Sequence, residues 1–232
     1  MLEKLKEEVY RANIDLVKHN LVILTWGNAS GIDRESGLVV IKPSGVDYEN
    51  LTPADMVVVD MNGRVVEGNL RPSSDTPTHL FLYREFTAIG GVVHTHSVHA
   101  TAWAQAGRPL PVFGTTHSDY FHGQVPCTRE MTIEEVTGDY ESNTGIVIAE
   151  SFMGRDPMTM PAVLVCNHGP FTWGTTAKQA VENAVVLEEV SRIALYTSIL
   201  GRSEDIGGYL LDKHFLRKHG TGAYYGQSKK RK

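Results

Sequence analysis

The chain lacks what would place it outside the cell or in a membrane. Only two cysteines, Cys127 and Cys166, occur in 232 residues. That excludes a disulfide framework and points to a reducing compartment. No apolar stretch is long enough and free enough of charge to span a bilayer. Acids appear from Glu3 onward, so no signal peptide is expected and the cytoplasm is the expected location. Positive charge is not in excess: the formal net charge is −5, and the one basic run is "SKKRK" at 228–232. A general nucleic-acid surface is therefore not expected, and the run reads as a solvated, disordered tail after one domain at 1–227. Internal repeats, low-complexity segments and linkers are missing. So are G-x-G-x-x-G, G-x-x-x-x-G-K-[ST] and G-x-S-x-G, which disfavours a Rossmann site, a P-loop and a nucleophile elbow.

What is present alternates between helix and strand patterns. Leu2, Leu5, Val9, Ala12 and Leu16 recur at spacings of three and four, an amphipathic helix. "LVVIKPSG" reads as a strand entering a turn, and "MVVVDMNGRVVEG" as a hairpin around Asn62-Gly63. "SSDTPTHLFLYREF" is a helix with Pro77 in its first turn. "IGGVV" reads as a buried strand, and "SVHATAWAQAG" as a helix capped by Ser97 and stopped at Gly107. Further strands are expected around Pro111 to Phe113, in "TGIVIAE" and in "PAVLVCNHG". The longest helix is "TTAKQAVENAVVLEEVSRIALYTSIL", apolar on most of its circumference, and "GGYLLDKHFLRKHG" is the last. The hairpin signals favour a mixed or antiparallel sheet covered by helices.

Three histidines crowd "GGVVHTHSVHA". Side chains alternate along a strand, so His94 and His96 face one way, fit to share a metal ion. His99 falls in the next helix and need not join them. A third ligand is available in His168, set in a turn of "CNHGP", and Asp75 in "RPSSDTP" offers a carboxylate or a helix cap. Three histidines with an open position make a catalytic zinc environment. "TWGNAS", "KPSG" and "RPSSD" resemble anion cradles, where backbone N–H groups and hydroxyls converge on phosphate oxygens. Lys42 and Arg71 add positive charge there. Asp119 in "GTTHSDYFHG" is an acid/base candidate. "AYYG" near the C-terminus suggests a segment docked onto something.

In order along the chain, "TWGNAS", "IKPSGVDY", "RPSSDTPTH", "GGVVHTHSVHATAWAQAG", "GTTHSDYFHG", "NHGPFTWG" and "LRKHG…AYYGQ" closely resemble the class II aldolase and adducin head domain family. Within it they are most similar to the L-ribulose-5-phosphate 4-epimerases. The likeness runs to Gln227. It implies a single three-layer α/β/α domain with a mostly antiparallel central sheet, assembled as a homotetramer with sites at subunit interfaces. It implies zinc at Asp75, His94, His96 and His168, with manganese or cobalt as substitutes. A sugar phosphate would contact Gly27, Asn28, Ser44, Gly45, Ser73 and Ser74, beside Lys42. Asp119 and Tyr225 would be the acid/base pair, with Thr115 and His214 as neighbours.

The implied reaction interconverts L-ribulose 5-phosphate and D-xylulose 5-phosphate, as in L-arabinose breakdown. C4 is β to the carbonyl, so its hydrogen is not acidic, and no dinucleotide fingerprint supports transient oxidation. Retro-aldol cleavage between C3 and C4, then re-addition to the other aldehyde face, remains. The zinc would hold the enediolate. The alternative is a net aldolase similar to L-fuculose-phosphate aldolase, whose pattern carries Glu at the position of Asp75. A non-catalytic scaffold, as in adducin, should have lost the histidines that this chain keeps.

Overall fold

The computed structural model describes residues 2–226. Gln227 and the basic run at 228–232 lie outside the described residues. The elements, in order, are α1 (Glu3–Lys18), β1 (Asn28–Asp33), β2 (Leu38–Ile41), β3 (Val57–Val59), β4 (Val65–Glu67), α2 (Thr76–Glu85), β5 (Gly91–His94) and α3 (Val98–Gln105). They continue with α4 (Thr115–Ser118), α5 (Ile133–Thr137), α6 (Tyr140–Glu150), β6 (Ala162–Leu164), β7 (Pro170–Gly174), α7 (Ala177–Ile199) and α8 (Gly208–His219). The strands form one seven-stranded sheet in the order β4-β3-β2-β1-β5-β7-β6. Every pairing is antiparallel.

Period-two alternation sends successive residues of these strands to opposite faces. Val39, Val57, Val59 and Val92 join one apolar cluster, with Leu80, Tyr83, Trp103, Ile148 and Trp173. Val40, Val58 and Val93 join another, with Val9, Ala12 and Leu16 of α1. The sheet thus separates two cores, giving helix, sheet and helix layers. α7 reaches both: Ala177, Ala180 and Ala184 pack into the second cluster, Leu187, Val190 and Ala194 into the first. Its start sits almost on the sheet, since a Cβ on Gly91 would lie 2.3 Å from the Ala177 nitrogen.

Three expectations are corrected. "TGIVIAE" is not a strand but the body of α6. Its β-branched run suggests a strand, yet Thr144, Val147 and Ile148 are buried at helical spacing. Gly145 lets α6 lie against α2, because a Cβ there would be 2.7 Å from that of Phe81. Pro111 to Phe113 form no strand; only Leu110 bridges to Val125. Pro111 has no N–H to offer, and the Val112 N–H is taken by Asp205 at 2.8 Å. "TWGNAS" is expected to be a turn, but its Asn28 to Ser30 open strand β1, and Pro170 to Gly174 of "NHGPFTWG" form strand β7.

Both cysteines are free thiols. Among the described residues no helix is long and apolar enough to cross a membrane.

Candidate metal centre and anion cradle

β1, β5 and β7 are neighbours in the sheet, and at one end they bring Asn28, His94 and Phe171 into register. His94 is buried, its ring stacked on Phe171 with centroids 4.2 Å apart. Its Nδ1 lies 3.0 Å from the Pro170 carbonyl. A carbonyl only accepts, so Nδ1 carries the proton and Nε2 presents a lone pair. His96 follows on the same face, its Nε2 3.1 Å from that of His94. His168 enters from the β6–β7 turn, where Asn167 takes the left-handed conformation at φ 61°. Its ring centroid is 4.7 Å from that of His94 and 5.0 Å from that of His96.

One nitrogen from each of these three histidines lies within 4.8 Å of the others, so they can hold a metal ion. The donors fit: metal needs neutral imidazole, and here protonation is disfavoured. Burial, then the neighbouring His94 and His96, depress His168 to about 3. Burial and His94 lower His96 as well.

Asp75 stands beside this trio. It occupies the N-cap position of α2, but its side chain makes no cap bond. Instead it accepts from Asn28 Nδ2 at 2.6 Å, so the capping alternative fails. Burial pushes its carboxyl up, but His94, His79, Asn28 and His168 together hold it below the usual carboxylate range.

The three anion-cradle segments do converge. Ser73 N–H donates to the Lys42 carbonyl and Ser44 N–H to the Arg71 carbonyl. Tyr48 donates its hydroxyl to the Gly27 carbonyl at 2.9 Å. Together they line a cavity of about 260 Å³ that includes Gly27, Asn28, Ser44, Gly45, Ser73 and Asp75. Lys42 and Ser74 also line it. Gly27 has φ +74°, and a Cβ there would stand 2.9 Å from the His94 carbonyl. Lys42 is buried, its Nζ turned to the Val46 carbonyl at 2.8 Å. Burial lowers its pKa to about 8, so most of the population still carries the charge at neutral pH.

Thr115, Asp119, His214 and Tyr225 do not line this cavity. They gather elsewhere in the same chain. Asp119, just after α4, takes bonds from Arg217 at 2.8 Å and from His214 at 3.0 Å on α8. Lys218 is 3.8 Å away. Burial raises Asp119, but Arg217, His214 and Lys218 win and keep it an ionised carboxylate. Tyr225 is exposed, and its ring lies under the same two cations, 4.9 Å from Arg217 and 4.5 Å from Lys218. Thr115 opens α4, and its carbonyl accepts from the Asp119 N–H.

Several supporting groups carry no motif of their own. Ser30 Oγ lies 2.7 Å from His79 Nδ1 and 2.8 Å from the Tyr83 hydroxyl, a buried polar chain beneath the site. Glu188 of α7 receives the N–H groups of His99 and Ala100, so α3 is capped from a distance rather than by Ser97. Arg217 and Lys218 could have been found, since "HFLRK" sets them three and four residues after His214 on one helix face.

Two buried histidines that are not members of the trio make the fold acid-sensitive. Burial lowers His79 to about 3 and His117 to about 4. Both lie below the unfolded value near 6.5. Below that pH the unfolded chain takes up protons that the native state refuses. Stability should fall by roughly 1.4 kcal/mol per pH unit per histidine, from about pH 6.5 down to each folded pKa. His117 Nε2–H donates to the Gly123 carbonyl at 2.8 Å, which glutamine can imitate. Urea unfolding of metal-free His117→Gln between pH 6.5 and 4.5 should lose about one proton's slope; an unchanged slope refutes this.

Comparison with known proteins agrees with this architecture. The class II aldolase and adducin N-terminal domain family matches residues 7–195. A solved L-fuculose 1-phosphate aldolase is 28% identical, covering 91% of this chain and 94% of that one, with TM-score 0.78. The L-fuculose-1-phosphate aldolase of Thermus thermophilus is 25% identical over 88% of this chain and 100% of that one, with TM-score 0.68. An L-fuculose 1-phosphate aldolase from Glaciozyma antarctica shares the fold at 19% identity, covering 95% of this chain and 84% of that one, with TM-score 0.78. The match spans most of the sequence and contains the histidine trio and the cradle: the chain belongs to the class II aldolase and adducin N-terminal domain family.

Proposed function

We propose that the protein is a zinc-dependent epimerase that interconverts L-ribulose 5-phosphate and D-xylulose 5-phosphate by breaking and re-forming the C3–C4 bond. The observation that carries the reading is Asp75. A net aldolase must protonate its carbanionic fragment to release it. A short carboxylate tied back by Asn28 at 2.6 Å is poorly placed to deliver that proton. The fragment then stays and re-adds.

His94, His96 and His168 would hold the metal, with Asp75 close by. When bound, the metal supplies Lewis-acid stabilisation of the charge that develops on the donor oxygens. Ser44, Gly45, Ser73 and Ser74 would hold the phosphate, so the aldehyde half can turn without leaving. Asp119 and Tyr225, with Thr115 and His214 beside them, would exchange the proton of the C4 hydroxyl from opposite sides. In one chain this pair gathers apart from the cradle, so a second copy would bring it to the site. Exposed Ile193, Tyr196, Ile199 and Leu200 at the end of α7 leave an apolar face that a subunit contact of the proposed homotetramer would cover.

The similarity to L-fuculose-phosphate aldolases favours a second reading, a lyase on a related sugar phosphate. Purified protein given L-ribulose 5-phosphate, with and without chelator, separates the two. Chelator-sensitive formation of D-xylulose 5-phosphate is expected. Accumulation of free glycolaldehyde phosphate would favour the lyase, and neither product would reject the substrate.

A further inference from the structure

α6 begins at Tyr140, and nothing in its sequence marks that residue as special. Yet its hydroxyl lies 3.3 Å from Nδ1 of His168. Tyr140 is firmly placed. Its own carbonyl accepts from Thr144 Oγ1 at 2.9 Å, and the next carbonyl, of Glu141, accepts from Thr78 Oγ1 of α2 at 2.6 Å. Gly145 keeps α6 pressed on Phe81 of the same helix α2. His168 sits in a short turn, and among the described residues the Tyr140 hydroxyl is the one hydrogen-bond partner of its ring.

His94 shows what the trio requires. Its Nδ1–H is spent on the Pro170 carbonyl, leaving Nε2 as a lone pair beside Nε2 of His96. A phenol, unlike a carbonyl, can donate or accept, so His168 has two arrangements open to it. If Tyr140 donates to Nδ1, a proton must sit on Nε2 and the trio loses a lone pair. If Nδ1–H donates to the phenol oxygen, Nε2 is free to ligate. The phenol carries its own proton in either case, as an ordinary phenol does at neutral pH.

We propose that Tyr140 is a positioning residue that accepts the Nδ1–H of His168 and so sets the imidazole tautomer and ring orientation for metal binding. This rests on the reading of the three histidines as a metal site. A metal-ligating histidine commonly gives its other N–H to such an acceptor, and losing the acceptor typically costs about 10- to 100-fold in metal affinity. Tyr140→Phe removes only the hydroxyl. Its zinc affinity, measured by competition with a chromogenic chelator, should fall at least about tenfold, while thermal unfolding of the metal-free protein stays near the parent's. Equal zinc affinities would overturn the role of Tyr140 and leave the metal reading standing. A parent that takes up no stoichiometric zinc would sink the metal reading itself. Neutron diffraction from metal-free parent crystals tests the same idea without any variant: a deuteron on Nδ1 of His168 is expected, and one on Nε2 alone overturns the proposal.

Discussion

His96→Asn protein is expected to fold, to lose stoichiometric metal and to lose nearly all activity. His96 is the exposed member of the trio, and its one ring hydrogen-bond partner is Nε2 of His94. Surface substitutions usually change stability by less than about 0.5 kcal/mol, so unfolding should scarcely move. Metal binding, by contrast, loses one of three nitrogen donors, and two ligands do not make a stable site. Lewis-acid stabilisation is worth several kcal/mol of barrier. At about 1.4 kcal/mol per tenfold, loss of ~4 kcal/mol is roughly a 1,000-fold fall in kcat. Elemental analysis and the pentulose-phosphate assay read the two effects separately. Full metal occupancy with parental turnover would remove the trio from the mechanism.

The second large effect is expected at Tyr225. Tyr225→Phe keeps the ring under Arg217 and Lys218 and deletes only the hydroxyl. If that hydroxyl exchanges a proton with the C4 oxygen, kcat should drop about 100- to 10,000-fold. Metal content and assembly should stay as in the parent. Tyr224 is the built-in control. It is equally exposed and lies over Lys213 rather than over the cations of Asp119. Tyr224→Phe should therefore cost little. Similar mild losses in both variants would mean that the tyrosines only pack, and Asp119 would need another partner.

Much of this was readable from residue spacing because the spacing reports local geometry. α1, α7 and α8 announce themselves by the helical period, and the hairpin at 57–67 by its valines around Asn62-Gly63. The pair His94 and His96 follows from strand alternation alone. What could not be read depends on partners far along the chain. β1 looks like a turn because Asn28 and Ser30 are polar and Gly31 follows. The buried Asn28 Nδ2 and Ser30 Oγ find partners in Asp75, His79 and Tyr83, more than forty residues away. α6 looks like a strand because the Phe81 ring that needs Gly145 belongs to another element. Tyr140 and Glu188 are invisible for the same reason: each acts through one long-range hydrogen bond or cap.

The position of His94 has a kinetic side. It lies between two neighbouring strands, in register with Asn28 of β1 on one flank and Phe171 of β7 on the other, inside the sheet order. Backbone amides in such a place exchange with solvent only when the whole domain opens. Asp119 depends instead on α8, a helix in which Phe215 alone is buried. That helix can loosen at far smaller free energy. The two halves of the proposed site therefore belong to different cooperative units: a floor that lasts as long as the fold does, and a wall that can come and go within the native state.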